Sequence, residues 1–314
     1  MTSVTLKQLR YFDALARELH FGRAADACSV TQPALSMQIH ELEQNLGLVL
    51  VERTRSGVQL TAKGAEIAAR CARVLGDVRD LVAYAQHANR LLAGTLRLGV
   101  IPSVAPYMLP PLLRDTYPDL ELHVRETQTQ ILTDELLEGK LDVLLLALPL
   151  KHQDLTNLPL FEDKFLLAAP KDRKLSGRVR ATKELIEHER LLLLEEGHCL
   201  RDQALTYCSL QQVDAVNTFG ASSLATIVEM VSAGFGITLL PELSIGVEER
   251  GRDITLVRFV DPEPSRTIGL VWRSTSPQKG DFEELGRLVA KAWNEGALAA
   301  VRSGARGKKS LSAS

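Results

Sequence analysis

Cys199 and Cys208 are the residues of this 314-residue chain whose types and spacing most clearly suggest chemistry. In a helix, nine residues of separation would place the two thiols about 13 Å apart along the axis and on opposite faces. A disulfide requires Cα atoms about 4.4–6.8 Å apart, so this pair could bond only if the segment melted and refolded. An oxidation that must remodel its surroundings is a candidate switch.

Other interpretations of the cysteines remain open. A free intracellular cysteine is commonly a small buried hydrophobe, which is also the role expected of Cys28 and Cys71. A zinc site made by His198, Cys199 and Cys208 is disfavoured, because the spacing is wrong and no fourth ligand is evident. We therefore expect neither a metal nor another cofactor.

The overall composition excludes several classes of protein. With 37 Lys and Arg against 39 Asp and Glu, bulk charge does not indicate a nucleic-acid binder. Four cysteines are too few for a disulfide framework. The longest apolar run, from Leu141 to Leu150, is interrupted and too short to span a membrane, and the N-terminus lacks a signal-peptide core. These features predict a cytoplasmic protein, in which an oxidisable cysteine pair tends to be regulatory or catalytic.

The first sixty residues predict a small helical domain with a hairpin. Apolar residues at three-and-four spacing indicate a helix over 6–19, and an Ala-rich helix follows over 21–28. Thr31 is a suitable N-cap for a third helix, Pro33 is tolerated in its first turn, and Gly47 ends it. The two short segments around residues 48–53 and 57–60 predict a β-wing. This order is typical of a winged helix-turn-helix.

The second helix of such a motif enters the major groove of DNA with its N-terminus first. Gln32 and Ser36 can hydrogen-bond base edges, while Arg53 and Arg55 can reach phosphates. An ordinary helical subdomain with a polar face is the alternative interpretation. The full set of predicted DNA-binding residues is Thr31, Gln32, Pro33, Ser36, His40, Arg53 and Arg55.

A long helix is predicted after the wing, because no proline occurs from Thr61 to Leu92. Apolar residues recur there with alternating spacings of four and three, which is a heptad pattern. A helix packed on its own domain is one interpretation; the same helix of a second subunit is the one we favour. The predicted dimer seam comprises Ile67, Cys71, Val74, Val78, Leu81, Ala85, Ala88 and Leu92.

The rest of the chain alternates predicted strands and helices, which favours an α/β architecture with mainly parallel sheets. Strands are predicted at 95–101, 120–126, 141–147, 165–169, 191–194, 237–241 and 267–272, and helices at 131–138, 222–233 and 282–297. Ligands of such sheets bind beyond the carboxyl ends of strands, here near Ser103, Thr127–Thr129 and Gly197–Cys199. The polar, basic residues 303–314 are expected to form a disordered tail.

Several motifs resemble those of LysR-type transcriptional regulators. In the N-terminal region they are VTQPALSMQI at 30–39, LVERT at 50–54 and LTAKG at 60–64. GHCLRDQA at 197–204 followed by Cys208 is similar to the peroxide-sensing branch of that family, and so are LGVIP at 98–102, GITLLP at 236–241 and RTIGLV at 266–271. The likeness covers the whole chain outside the tail.

The resemblance implies three functional regions. Residues 1–60 would be a winged helix-turn-helix domain, all-α with a small β-wing, and 61–93 a dimerising linker helix. Residues 94–302 would be an α/β regulatory domain like a type 2 periplasmic binding protein. Its first lobe would span about 94–168 and 266–302 and its second about 169–265, with crossovers near Ala168 and Ser265.

The resemblance also implies roles for individual residues. Cys199 would be the thiol that reacts with peroxide and Cys208 the thiol that resolves the sulfenic acid. We expect His198, Arg201 and a helix N-terminus to promote the Cys199 thiolate. The implied peroxide pocket comprises Ser103, Thr129, His198 and Arg266. Ser103 stands where relatives usually have threonine, and Thr218 where some have histidine.

The expected partners follow from the same resemblance. They are a double-stranded DNA operator, hydrogen peroxide as the signal, further copies in a homodimer or homotetramer, RNA polymerase, and a thiol reductant such as glutaredoxin or thioredoxin. We expect a regulator that activates oxidative-stress genes and is not an enzyme. A metabolite-responsive regulator of the same fold and a thiol peroxidase using the same cysteines are the alternatives.

Overall fold

The computed structural model describes residues 4–54, 57–87, 91–114, 117, 119–171, 180–187, 189–208 and 221–307. They belong to two compact units. The first lies within Met1–Ala88 and Asp134–Leu141, and the second within Asn89–Thr133 and Asp142–Ser314. Among the residues described, no helix has the length and apolar character needed to cross a membrane.

The first unit has the predicted helices and wing. Its elements are α1 (Leu6–Glu18), α2 (Phe21–Ala27), α3 (Gln32–Leu46), β1 (Val51–Thr54), β2 (Gly57–Leu60) and α4 (Ala62–His87). β1 and β2 pair antiparallel from Val51–Leu60 to Thr54–Gly57. The predicted winged helix-turn-helix is confirmed.

Local sequence explains why α3 begins and ends where it does. Thr31 is the N-cap residue, although its side chain makes no capping hydrogen bond, and Pro33 lies in the first turn. Gly47 ends the helix at φ 65°, a left-handed conformation that glycine adopts without steric penalty. Leu35, Ile39 and Leu42 are buried against α1 and α2, as their spacing predicts. The opposite side of α3 is left for polar contacts.

The structure corrects the extent and packing of the linker helix. α4 ends at His87, and Leu92 lies in a turn at φ 50°, where its backbone N–H donates to Asp281 Oδ1 at 2.7 Å. Leu92 is therefore not on the predicted dimer seam, because it is buried in the second unit. Cys71 is buried in the core of the first unit and Ile67 packs against that core. The upper part of the seam thus joins α4 to its own domain.

The second unit is built around one long strand, Leu155–Pro170, which pairs with three other strands. Its strands are β3 (Gly94–Val100), β4 (Leu120–Glu126), β5 (Val143–Leu148), β6 (Leu155–Pro170), β7 (Thr238–Pro241), β8 (Ile254–Arg258) and β9 (Ser265–Arg273). The strand order is β4-β3-β5-β9-β6-β7, with β8 also paired to β6. Only β3–β4 and β3–β5 are parallel among these described pairings, so the expectation of mainly parallel sheets is wrong.

The strand β6 links two lobes. Its residues up to Lys164 pair with β9, and those from Phe165 onward pair with β7 and β8. The change of partner falls between Lys164 and Phe165, four residues before the crossover expected near Ala168. The return occurs at Ser265, the first residue of β9, where the second crossover is expected.

The helices of the second unit cover these sheets. They are α5 (Ala105–Arg114), α6 (Thr129–Leu137), α7 (Lys183–Glu187), α8 (Cys199–Cys208), α9 (Leu224–Ser232), α10 (Glu242–Glu248) and α11 (Lys279–Gly307). The run 191–194 forms only isolated bridges at Leu191 and Leu194, not the predicted strand. α11 continues to Gly307, so the first part of the predicted disordered tail is helical; residues 308–314 lie outside the described residues.

Candidate functional site

A small pocket brings the predicted peroxide-binding residues to Cys199. It has a cavity volume of about 10 Å³ and is lined by Ile101, Pro102, Ser103, Gln128, Thr129, Gly197, His198, Cys199 and Leu200. Cys199 is the first residue of α8 and Thr129 the first residue of α6. Two helix N-termini, with their partial positive charges, therefore meet at the thiol.

Arg266 fixes one wall of the site through a buried hydrogen-bond network. Its Nη1 donates to Ser103 Oγ at 2.7 Å and its Nη2 to the Ser103 carbonyl at 3.1 Å. Its Nε donates to Asp163 Oδ2 at 2.9 Å, and Asp163 Oδ1 accepts from the Leu243 N–H at 2.9 Å. The side chains of Arg266 and Asp163 are 1% and 0% exposed. These bonds hold the guanidinium in one orientation against Ser103, which lines the pocket.

The charge that acts on Cys199 is not the one expected from sequence. Burial raises the pKa of the Cys199 thiol, and the positive charge of Arg266 is the largest opposing influence. Arg201 is directed elsewhere, since its Nη1 donates to the Leu194 carbonyl at 3.2 Å. His198 Nε2 lies 3.9 Å from Glu195 Oε1. Arg266, rather than Arg201, therefore supplies the positive charge that favours the Cys199 thiolate against the effect of burial.

Thr129 presents its hydroxyl to the Cys199 thiol. Its Oγ1 is buried and makes no hydrogen bond of full geometry within the described residues, but its interaction with the thiol counteracts the effect of burial, which raises the pKa of Cys199. A thiol is a weak hydrogen-bonding partner, so the hydroxyl can still bind a small polar molecule. The neighbouring Gly197 has φ 91°, and a Cβ there would lie 2.4 Å from the Gln128 side chain. Glycine therefore allows the loop before α8 to close over this part of the pocket.

Cys199 and Cys208 are the first and last residues of α8. Their Cα atoms are therefore separated by about 13 Å of helical rise, beyond the reach of a disulfide. This confirms the predicted arrangement of the two residues in a helix. The side chain of Cys208 is outside what the structure describes, and so is Thr218.

The predicted DNA-contacting residues of α3 are accessible. Thr31, Gln32, Pro33 and His40 are exposed and Ser36 is half-buried, while His40 Nε2 lies 3.0 Å from Gln44 Nε2. Arg55 and the side chain of Arg53 lie outside the described residues. The exposed polar face therefore coincides with the N-terminal half of the helix predicted to enter the major groove.

The lower part of the predicted dimer seam remains on the surface. Val74 is 42% and Leu81 is 66% exposed, and Val78 is half-buried. Large apolar side chains at regular helical spacing on a surface are typical of a helix that packs against a partner.

Sequence reasoning missed Asp163 and did not single out Gln203, whereas Gln128 lies in the stretch Thr127–Thr129 that it placed near the ligand. Asp163 orients Arg266, and Gln128 lines the pocket while its Nε2 donates to the Glu196 carbonyl at 3.2 Å. Gln203, one helical turn after Cys199, has a buried Oε1 with no hydrogen-bond partner in the described part of the chain. Glu162, Asp163 and Lys164 are three successive charged residues, so the sequence contains no signal that Asp163 is the buried one.

Comparison with known protein families adds two matches. Residues 6–65 match the bacterial regulatory helix-turn-helix protein family of the lysR type, and residues 89–294 match the LysR substrate binding domain. The chain belongs to the LysR family. Its two compact units are therefore the DNA-binding and regulatory parts of a LysR-family transcriptional regulator.

Individual LysR-family proteins are similar along the whole chain. A probable hydrogen peroxide-inducible genes activator of Streptomyces viridosporus is 43% identical over 304 residues, covering 95% of this chain and 97% of its own. Full-length OxyR of Pseudomonas aeruginosa, in a variant form, has a TM-score of 0.76 at 36% identity and covers 91% and 95%. A hydrogen peroxide-bound OxyR variant of Corynebacterium glutamicum has a TM-score of 0.67 at 35% identity and covers 96% of both chains.

Proposed function

We propose that this LysR-family regulator senses hydrogen peroxide through reversible formation of a Cys199–Cys208 disulfide and controls oxidative-stress defence genes. The observation that carries the proposal is the placement of Cys199 at the start of α8, in a small pocket with Ser103 and the Thr129 hydroxyl, where burial raises the pKa of the thiol and the charge of Arg266 counteracts this rise. The names of its relatives, which are peroxide-inducible gene activators and OxyR proteins, support it.

The chemistry has two steps. The Cys199 thiolate attacks one oxygen of hydrogen peroxide, the O–O bond breaks, and water leaves after the second oxygen takes up a proton. The thiol of Cys208 then attacks the sulfur of the Cys199 sulfenic acid, which forms the disulfide and releases a second water. Thr129 and Ser103 would position the peroxide, and Arg266 would stabilise the thiolate. Net, two thiols are oxidised and one peroxide is reduced.

The disulfide can supply much of the free energy needed for switching. Closing a loop of about ten residues restricts the open chain by roughly 3 kcal/mol. Moving a regulator from mostly inactive to mostly active requires about 5 kcal/mol of bias. The remainder would come from repacking of the segment that replaces α8.

The pocket volume favours peroxide over a metabolite. The Cys199 pocket has a cavity volume of about 10 Å³, which is about what one water molecule needs, so it suits a molecule of the size of peroxide better than an ordinary organic ligand. A thiol peroxidase would use the same first step, but the helix-turn-helix and LysR domains assign a regulatory role. We propose that the sensor reacts quickly and is recycled slowly by glutaredoxin or thioredoxin.

The proposed regions follow the sequence assignment. Residues 1–60 would bind an operator through α3 and the wing, 61–93 would dimerise the chain, and 94–302 would sense peroxide. We propose that the chain acts in the cytoplasm as a homotetramer built from dimers, and contacts RNA polymerase at its promoters. Two-fold symmetry then implies dyad-related half-sites.

Operator footprinting with and without a small excess of hydrogen peroxide tests the proposed switch. We expect the wild-type footprint to change on oxidation, while Cys199→Ser and Cys208→Ser keep the reduced footprint, since neither can form the disulfide. Thiol alkylation on the same samples reports the disulfide directly. An unchanged wild-type footprint in a sample that contains the disulfide would refute the switch.

The exposed part of the dimer seam gives a second test. We expect Leu81→Glu to convert the oligomer to smaller species and to weaken operator binding, because it places a charge in an apolar helix contact. Sedimentation velocity measures the change. Val247→Glu on α10, which is 50% exposed in the wild type, is the matched control and should keep the wild-type oligomer. Unaltered sedimentation of Leu81→Glu would contradict the seam.

A further inference from the structure

The two ends of α8 are buried to different extents. Within the first six residues, Leu200, Arg201 and Ala204 are 4%, 6% and 1% exposed. Within the last four, Leu205 and Tyr207 are half-buried and Thr206 is exposed. If the disulfide forms as proposed above, we expect these last four residues to leave the helix.

Tyr207 holds the last four residues of α8 in place through the contacts of its ring. Its ring meets the fully buried Phe259 ring edge-on, at 5.2 Å between centroids and an interplanar angle of 77°. Lys183 of α7 places its Nζ 5.0 Å from the centre of the Tyr207 ring. The side chain also packs against the core cluster that contains Phe259. These contacts fix the last turn of α8 to the second lobe.

Disulfide formation is incompatible with this anchored position. In the helix, the Cα atoms of Cys199 and Tyr207 are about 12 Å apart. With the disulfide formed, the Cα of Cys208 lies at most about 6.8 Å from that of Cys199, so Tyr207 lies within about 10.6 Å. This limit assumes a fully stretched chain, and ordinary geometry brings Tyr207 closer still. One end of α8 must therefore move, and because Leu200, Arg201 and Ala204 are the more deeply buried, we expect it to be the last turn.

We propose that Tyr207 is a positioning residue that stabilises the dithiol form and thereby sets the reduction potential of the Cys199–Cys208 pair. The inference rests on the proposed disulfide switch. Because the ring contacts exist only in the helical form, they oppose oxidation and make the disulfide easier to reduce. An edge-on aromatic contact and a cation–π contact each change an equilibrium several-fold, and together about tenfold.

Equilibration of the full-length protein in glutathione buffers tests the inference, with the disulfide fraction read by thiol alkylation and mass spectrometry. We expect Tyr207→Ala to shift the equilibrium about tenfold toward the disulfide, a potential about 30 mV more negative. Tyr207→Phe keeps the ring and should remain close to wild type. Tyr207→Leu should shift in the same direction as Tyr207→Ala, and it retains apolar volume in case the alanine variant does not fold.

Met230→Ala is the matched control, because Met230 is half-buried against the same core cluster but belongs to α9. It should lower stability without moving the thiol–disulfide equilibrium. Equal equilibria for wild type, Tyr207→Ala and Tyr207→Leu would overturn the role of Tyr207 while leaving the switch intact. A wild-type protein that forms no Cys199–Cys208 disulfide in any buffer would overturn the switch and this inference together.

Discussion

Replacing Asp163 with alanine is expected to lower the free energy of unfolding of the regulatory unit by about 3–5 kcal/mol. The change leaves the Arg266 guanidinium, 1% exposed, without its buried carboxylate partner, and it removes the acceptor of the Leu243 N–H. An unpaired buried charge accounts for most of the loss. Urea unfolding followed by the fluorescence of Trp272 and Trp293 reports this unit.

The double variant Asp163→Ala, Arg266→Met separates the charge from the packing. It removes the unpaired charge and should recover most of the stability lost in Asp163→Ala, whereas both proteins should lack the wild-type peroxide response. A single variant that unfolds within about 1 kcal/mol of wild type would show that Arg266 finds another partner or water. In that case the pair would not determine the stability of the unit.

The buried pair is better explained by orientation than by stability. Burial raises the pKa of Asp163 against the opposing effect of Arg266, so placing this carboxylate in the interior is itself unfavourable. The pair holds the Arg266 guanidinium in a hydrogen bond to Ser103 Oγ. From this position its positive charge opposes the rise that burial causes in the pKa of the Cys199 thiol. Ser103 lacks the methyl group that a threonine would have, and the hydrogen bond from Arg266 orients its hydroxyl instead. We therefore expect Ser103 to serve the pocket.

Local features were predictable because short-range rules determine them. The apolar stripe of Leu35, Ile39 and Leu42 fixed the buried face of α3, and Gly47 fixed its end. The same reasoning placed Cys199 and Cys208 in one helix, at a separation that forbids a disulfide. The LysR motifs then indicated both domains, which the family matches confirm.

Long-range features were not predictable from spacing alone. Pairing of β6 with β9 and then with β7 and β8 depends on residues up to about a hundred positions apart, so the sequence did not reveal mostly antiparallel sheets. The charge nearest to Cys199 in sequence, Arg201, donates to the Leu194 carbonyl, while the distant Arg266 acts on the thiol. Electrostatic effects depend on distance in space, which chain neighbours do not determine.

Gly64→Ala is expected to destabilise the DNA-binding unit by about 3 kcal/mol and to weaken operator binding. A Cβ at Gly64 would lie 1.9 Å from the Leu50 carbonyl oxygen, which already accepts the Thr61 N–H at 3.0 Å. The first turn of α4 would have to move away from the start of the wing. Native-state hydrogen exchange of amides in α3, β1 and β2 measures the loss of stability.

The sign of this effect distinguishes a steric conflict from ordinary helix propensity. Glycine to alanine inside a helix normally stabilises by up to about 1 kcal/mol. Gly246→Ala in α10 is the matched control, because a Cβ there meets nothing within 4 Å, and we expect it to follow this ordinary rule. If Gly64→Ala also stabilised the protein, α4 and the wing would not be held together by the contact at Leu50. If Gly64→Ala destabilises the DNA-binding unit while Gly246→Ala does not destabilise the regulatory unit, this glycine of the LysR motif is required by close backbone packing.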